Sequence, residues 1–176
     1  MNKPQGFIVT PGASADRDHR TLVALEEGIP EVAVRRLTLA TTSVRNAVNK
    51  IIEASNELAS ELGCQPHDIA LGGRSFGGRA CSVAVAEGHP AHSLVLLSYP
   101  LHPPGKPDNL RVEHFVDLQT RTLFVSGVKD PFGTEAEFVK HISTIPGPTQ
   151  IEWVAGNHSP SSDVDVVSFT RSFLLG

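Results

Sequence analysis

Three residues far apart in the chain, Ser75, Asp130 and His158, are of the types that together make a serine hydroxyl reactive. A free serine is a weak nucleophile. It needs a base to take its proton and an acid to orient that base. Ser75 stands in Gly73-Arg74-Ser75-Phe76-Gly77, a G-x-S-x-G pattern. The glycines permit a very sharp strand-to-helix turn that leaves the serine exposed on strained backbone. Five residues alone are a weak signal, and the plain alternative is a glycine-rich turn that lets a helix pack closely on a strand. Context favours the chemical reading: an apolar run at 68–72 precedes the motif and an Ala- and Val-rich segment at 76–87 follows it. Asp130 follows the apolar run 122–126 and His158 follows 151–155, so both sit just past strand-like segments. The order Ser, Asp, His is the one in which such a strand–turn–helix serine finds its partners.

The competing residues fit less well. His19, His89, His92, His114 and His141 fall on or beside helical segments, and His67 precedes the third apolar run, at the wrong end of a sheet. Asp163 and Asp165 are rivals for the acid, but their place at the start of a helical segment suits capping of its first turn. Two backbone N–H groups must face the developing oxyanion. Phe76, next after the serine, supplies one; the turn Pro11-Gly12-Ala13-Ser14 supplies the other, with Ala13 first choice and Ser14 second. The loop after the fourth apolar run, with Tyr99, Leu101 and His102, is expected to overhang the site and touch substrate. For His102 the alternative is a loop histidine that stabilises neighbouring carbonyls. Arg74 is read as a ligand for an acidic substrate group, with an ion pair to a nearby carboxylate as the alternative. No H-E-x-x-H or paired C-x-x-C occurs, so neither a metal nor another cofactor is expected.

These residues need a scaffold. Apolar runs at 6–10, 32–37, 68–72, 93–98, 122–126 and 151–155 read as strands. Amphipathic segments at 18–28, 42–62, 76–87, 135–142 and 163–174 read as helices, with Gly28, Gly63 and Gly88 as stops. Such alternation predicts a parallel sheet covered on both faces. The second run, rich in charge, belongs near an edge. Residues 99–117, with four prolines, predict a rigid loop plus a short helix.

The chain has 176 residues, which suits a single domain over 1–176 that buries roughly 70% of its unfolded surface. Apolar residues make up 40% and charged residues 19%, and the net charge is −4. This balance argues against nucleic acid or an anionic membrane surface as partner. Neither a leader pattern nor an 18-residue apolar stretch is seen, and Cys64 and Cys81 suit reduced, partly buried thiols. The cytoplasm is the expected compartment; the sequence leaves the oligomeric state open.

Segments 72–79 (GGRSFGGR), 99–107 (YPLHPPGKP) and 122–134 (TLFVSGVKDPFGT) together resemble the small capless α/β-hydrolases related to dienelactone-hydrolase-like enzymes. Within these the chain is similar to a mostly uncharacterised branch. That branch includes the hydrolase-like domains of a testis-expressed protein and of a chromatin acetylation complex subunit. The resemblance implies Ser75 as nucleophile, Asp130 as acid and His158 as base. It also implies a minimal six-stranded sheet of order 2-1-3-4-5-6, without the usual N-terminal antiparallel pair or a cap domain. One departure is Pro11-Gly12 where relatives usually begin the oxyanion turn with His-Gly. The expectation that follows is a serine hydrolase acting on a small carboxylic ester or thioester. The alternative is a non-catalytic interaction domain that kept the fold.

Overall fold

A computed structural model of the chain describes residues 2–176. In chain order the elements are β1 Gly6–Thr10, α1 Arg20–Gly28, β2 Ala33–Arg36, α2 Val44–Leu62, β3 Ile69–Arg74, α3 Phe76–Ala86, β4 Leu94–Leu97, β5 Thr122–Gly127, α4 Glu135–Ile142, β6 Thr149–Val154 and α5 Asp163–Leu175. The six strands form one parallel sheet in the order β2-β1-β3-β4-β5-β6. This is the α/β-hydrolase architecture that the resemblance implied.

Side chains of a strand alternate between faces, and each central strand here feeds two cores. Ile8, Leu94, Leu96 and Phe124 pack on the side of α2, α3 and α4. Phe7, Val9, Val95, Leu97, Leu123 and Val125 pack on the side of α1 and α5. Because both faces are dry, the central runs are apolar throughout rather than alternating. β2 lies at one edge, where Arg35 and Arg36 are only half-buried.

Helix ends follow local chemistry. The Ser43 side chain accepts the Asn46 N–H, so α2 starts at Val44 and not at 42. It stops at Gly63, whose left-handed φ of 66° suits a residue without Cβ. α5 is capped by Ser162, which accepts the Val164 N–H; Asp163 and Asp165 lie in its first turn rather than at the cap itself. Between β4 and β5 the chain forms only a loop and a short 3-10 helix over Glu113–Asp117, and no cap domain is inserted. No helix among the described residues is long and apolar enough to cross a membrane. Cys64 and Cys81 are free, and Cys81 is fully rather than partly buried.

Candidate active site

The sheet order reverses direction at β1. The C-terminal ends of β1 and β3 therefore lie side by side at the switch point where open α/β sheets bind ligands. β3 runs two residues further than the apolar run suggests, to Arg74, and Ser75 N–H donates to the Leu97 carbonyl oxygen at 2.8 Å. The chain then turns at once into α3. Ser75 makes that turn with φ 50° and ψ −116°, outside the regions open to an unstrained side chain. The flanking glycines are needed for close approach. A methyl group on Gly73 would stand 2.8 Å from the Thr10 carbonyl oxygen, and one on Gly77 2.9 Å from Thr10 Cβ.

Strand ends β5 and β6 bring the other two residues to this point. Ser75 Oγ lies 2.8 Å from His158 Nε2, and His158 Nδ1 lies 2.9 Å from Asp130 Oδ2 and 3.1 Å from Oδ1. The Asp130 carboxylate is fully buried and also accepts the Phe132 N–H at 2.9 Å. A carboxylate there makes Nδ1 the protonated nitrogen. Nε2 is then free to accept the Ser75 hydroxyl proton. The two supporting loops touch through backbone: Lys129 N–H donates to the Gly156 carbonyl oxygen at 3.0 Å, and a methyl group on Gly127 would stand 2.8 Å from that same oxygen.

The cleft above Ser75 has a volume of about 420 Å³. Ala13 and Phe76 line it, and among the described residues neither has its backbone N–H engaged by a protein acceptor. Ser14 has φ 63° and lines a neighbouring hollow instead. Arg74 lines the cleft, but its Nη2 donates to the His158 carbonyl oxygen at 2.6 Å and to Ser159 Oγ at 2.8 Å. It ties the histidine loop to the serine turn, and the carboxylate ion pair weighed for it is not formed among the described residues.

The loop expected to overhang the site corrects that expectation. Tyr99 and Leu101 are fully buried and do not line the cleft. Tyr99 donates its hydroxyl to the Arg111 carbonyl oxygen at 2.9 Å, and its ring packs on Phe115 and Phe124. Leu101 is held by the Arg111 N–H on its carbonyl oxygen, 2.8 Å away. His102 faces α4: its Nδ1 sits 2.8 Å from the Pro103 carbonyl oxygen, and its Nε2 is 3.2 Å from Glu137 Oε1, too poorly aligned for a hydrogen bond. The physical reason is that the proline-rich loop doubles back so that Arg111 pairs with Leu101. This turns the apolar side chains inward and leaves Pro100 and Arg111 at the cleft.

Among the cleft residues that sequence reasoning missed, Phe132, Arg79 and Arg111 bear on the chemistry. The Phe132 ring stacks on His158 with centroids 3.9 Å apart and planes at 26°, while its backbone N–H holds Asp130. Its position two residues past the acid was the available signal. Arg79 lines the cleft from α3, four residues after Ser75 and so on the same side of the helix. Arg111 reaches it through the fold-back just described, which nothing in the local sequence announces. The rival acid Asp163 is engaged elsewhere, by Arg20 at 2.8 Å and Thr21 Oγ1 at 2.7 Å.

The architecture is shared with solved enzymes. Est1E from Butyrivibrio proteoclasticus matches 98% of this chain and 88% of its own at 17% identity, with a TM-score of 0.80. The dienelactone hydrolase from Anabaena variabilis matches 96% and 85% at 17% identity, with a TM-score of 0.78. The carboxylesterase of Bacillus cereus matches 98% and 91% at 14% identity, with a TM-score of 0.68. Identities so low speak for the fold alone. Membership is carried by the sequence itself, which matches the alpha/beta hydrolase domain family over residues 5–165, all six strands included, and the chain therefore belongs to that family.

Proposed function

We propose that this hydrolase is a serine enzyme that opens a small carboxylic ester or thioester through an acyl-enzyme on Ser75. The observation that carries the reading is the continuous chain from the strained Ser75 hydroxyl through His158 to the buried Asp130. Ser75 Oγ bonds to the carbonyl carbon as its proton passes to His158 Nε2. The negative charge that develops on the carbonyl oxygen is met by the Ala13 and Phe76 N–H groups. Collapse breaks the C–O or C–S bond, and the alcohol or thiol leaves with the proton from Nε2. Water then repeats the sequence: it gives a proton to Nε2, attacks the acyl carbon, and releases the acid as the proton returns to Ser75 Oγ. Asp130 stays ionised and holds the imidazole in the required tautomer.

Fold neighbours that include a carboxylesterase, a dienelactone hydrolase and Est1E, the last seen with ferulic acid bound, are consistent with a small ester as substrate. Within the family we place the chain in the small capless branch. Its compartment in this reading is the cytoplasm, in keeping with two free thiols.

Fluorophosphonate labelling tests the reading, because the probe requires an activated serine. Labelling should be lost in Ser75→Ala and should run parallel with hydrolysis of p-nitrophenyl acetate. No labelling and no turnover in the wild type would favour a non-catalytic interaction domain.

A further inference from the structure

Ten arginines are present in the chain. Five of them, Arg20, Arg35, Arg36, Arg45 and Arg171, are paired with carboxylates at the surface. Arg121 is stacked on the Phe173 ring. Of the four left without such a partner among the described residues, three, Arg74, Arg79 and Arg111, line the cleft that contains Ser75. Half-buried guanidinium groups without counter-charge are costly, since burial and mutual repulsion act in the same direction. Burial and the neighbouring Arg79 both press the Arg111 guanidinium toward its neutral form, and burial does the same to Arg74. The Nε of Arg74 and of Arg79 are shut off from solvent with no acceptor among the described residues.

Nearby carboxylates do not relieve this. Asp130 is committed to His158 and the Phe132 N–H, Glu87 to Arg45, and Asp163 to Arg20 and Thr21. Glu113 is exposed and forms no ion pair among the described residues. The backbone nevertheless holds the arginines in place. Arg111 is fixed through its N–H to Leu101 and its carbonyl oxygen to the Tyr99 hydroxyl. Arg79 lies about 6 Å along the helix axis from Ser75. Helical side chains lean toward the N-terminus, and Arg79 lines the same cleft as Ser75.

We propose that Arg79 and Arg111, with the added charge of Arg74, form an anion subsite for a carboxylate carried by the substrate. The preferred substrates are then half-esters or half-thioesters of short dicarboxylic acids. This rests on the assignment of Ser75 as the nucleophile. A carboxylate fits better than a phosphoryl group. Helix N-termini are the usual phosphate cradle, and here the first free N–H of α3, that of Phe76 beside Ser75 in the cleft, is assigned to the oxyanion. What remains is a pair of guanidiniums from two separate elements, each able to donate to a carboxylate oxygen.

The test has a binding arm and a turnover arm. In the first, thermal melting is followed in Ser75→Ala with monomethyl glutarate, neutral dimethyl glutarate or inorganic phosphate at equal ionic strength. The monoanion should raise Tm and the diester should not. The rise should vanish in Arg79→Gln/Arg111→Gln and persist in Arg45→Gln, a surface control. No rise with the monoanion, or an equal rise with the diester, overturns the subsite. A larger rise with phosphate overturns its assignment to carboxylate. In the second arm, kcat/KM is compared for the p-nitrophenyl hemiester of glutarate and for p-nitrophenyl butyrate. The ratio should fall on the order of tenfold to a hundredfold in the double variant, the size of a lost charge-assisted contact, and should shrink with added salt. An unchanged ratio overturns the proposal. Absent fluorophosphonate labelling of wild type instead removes the assignment of Ser75 as nucleophile, and the proposed ester class falls with it. The binding arm decides the subsite in either case.

Discussion

Asp130→Asn isolates the orienting step because the structure dictates how the new amide must lie. Oδ1 of Asp130 accepts the Phe132 N–H at 2.9 Å, and this bond needs an acceptor. The asparagine oxygen therefore takes that place, and its NH2 group takes the place of Oδ2, 2.9 Å from His158 Nδ1. Two donors cannot face each other, so the imidazole carries its proton on Nε2 instead. That N–H then points at Ser75 Oγ, 2.8 Å away, and cannot accept its proton. The variant also loses the charge that stabilises the imidazolium. Opposite charges about 4 Å apart at an effective dielectric near 20 attract by about 4 kcal/mol. With the tautomer change the barrier rises by about 5 kcal/mol, a loss of up to about ten-thousandfold. The assay is kcat/KM for p-nitrophenyl acetate together with the rate of fluorophosphonate labelling, with circular dichroism to show an intact fold. Activity within tenfold of wild type would refute the reasoning and require another carboxylate on His158, for which Asp163 would have to leave both Arg20 and Thr21.

Three further outcomes are expected. Across neutral p-nitrophenyl esters from acetate to palmitate, kcat/KM should favour short chains: no cap covers the cleft, and each CH₂ left in water forgoes roughly 0.8 kcal/mol. A steep rise toward palmitate would mean a lid or tunnel, for instance from a second subunit. Phe132→Leu keeps the backbone N–H to Asp130 but loses the ring stacked on His158. It should lower kcat by roughly two- to tenfold with little change in KM, while Phe132→Tyr stays near wild type; equal rates in Leu and wild type would remove the ring from the mechanism. His114, 2.8 Å from Ser82 Oγ, is pushed down to about 4, mainly by burial and then by Arg79. Between about pH 6.5 and 4 the unfolded chain binds more protons at this site than the folded one, so its contribution is present above pH 6.5 and is lost as pH falls toward 4. Denaturant titrations should show up to about 3 kcal/mol less pH dependence over that window in His114→Gln than in wild type, and equal slopes would show that His114 titrates normally.

The positions of the six strands and of Ser75, Asp130 and His158 were legible in the sequence for one shared reason. In a parallel sheet every strand points the same way, so a residue just past any strand falls at the same end. That rule needs no knowledge of side-chain direction. Roles that depend on direction were not legible. Tyr99, Leu101 and His102 lie in the loop the rule selects, yet the backbone pairing between Leu101 and Arg111 turns them inward and presents Pro100 and Arg111. Arg79 looks like an ordinary surface residue of a helix until α3 is placed beside the cleft. β6 begins at Thr149, earlier than its apolar run at 151, because backbone pairing with β5 holds whatever side chains it carries.

The backbone contact between the Gly127 and Gly156 loops couples Asp130 to His158, but His158 itself is fastened to the rim of the sheet. β6 is an edge strand, with β5 its sole strand neighbour. Its residues from Thr149 to Trp153 are at least partly open to solvent, whereas those of β5 are all buried. Edge strands open in smaller fluctuations than the strands behind them. Ser75, by contrast, is anchored between two central strands. On warming, the protein should therefore lose the placement of His158 before that of Ser75, with amide exchange in β6 outpacing that in β3. The species expected first is a nearly native fold with one strand detached, and it should recover on cooling.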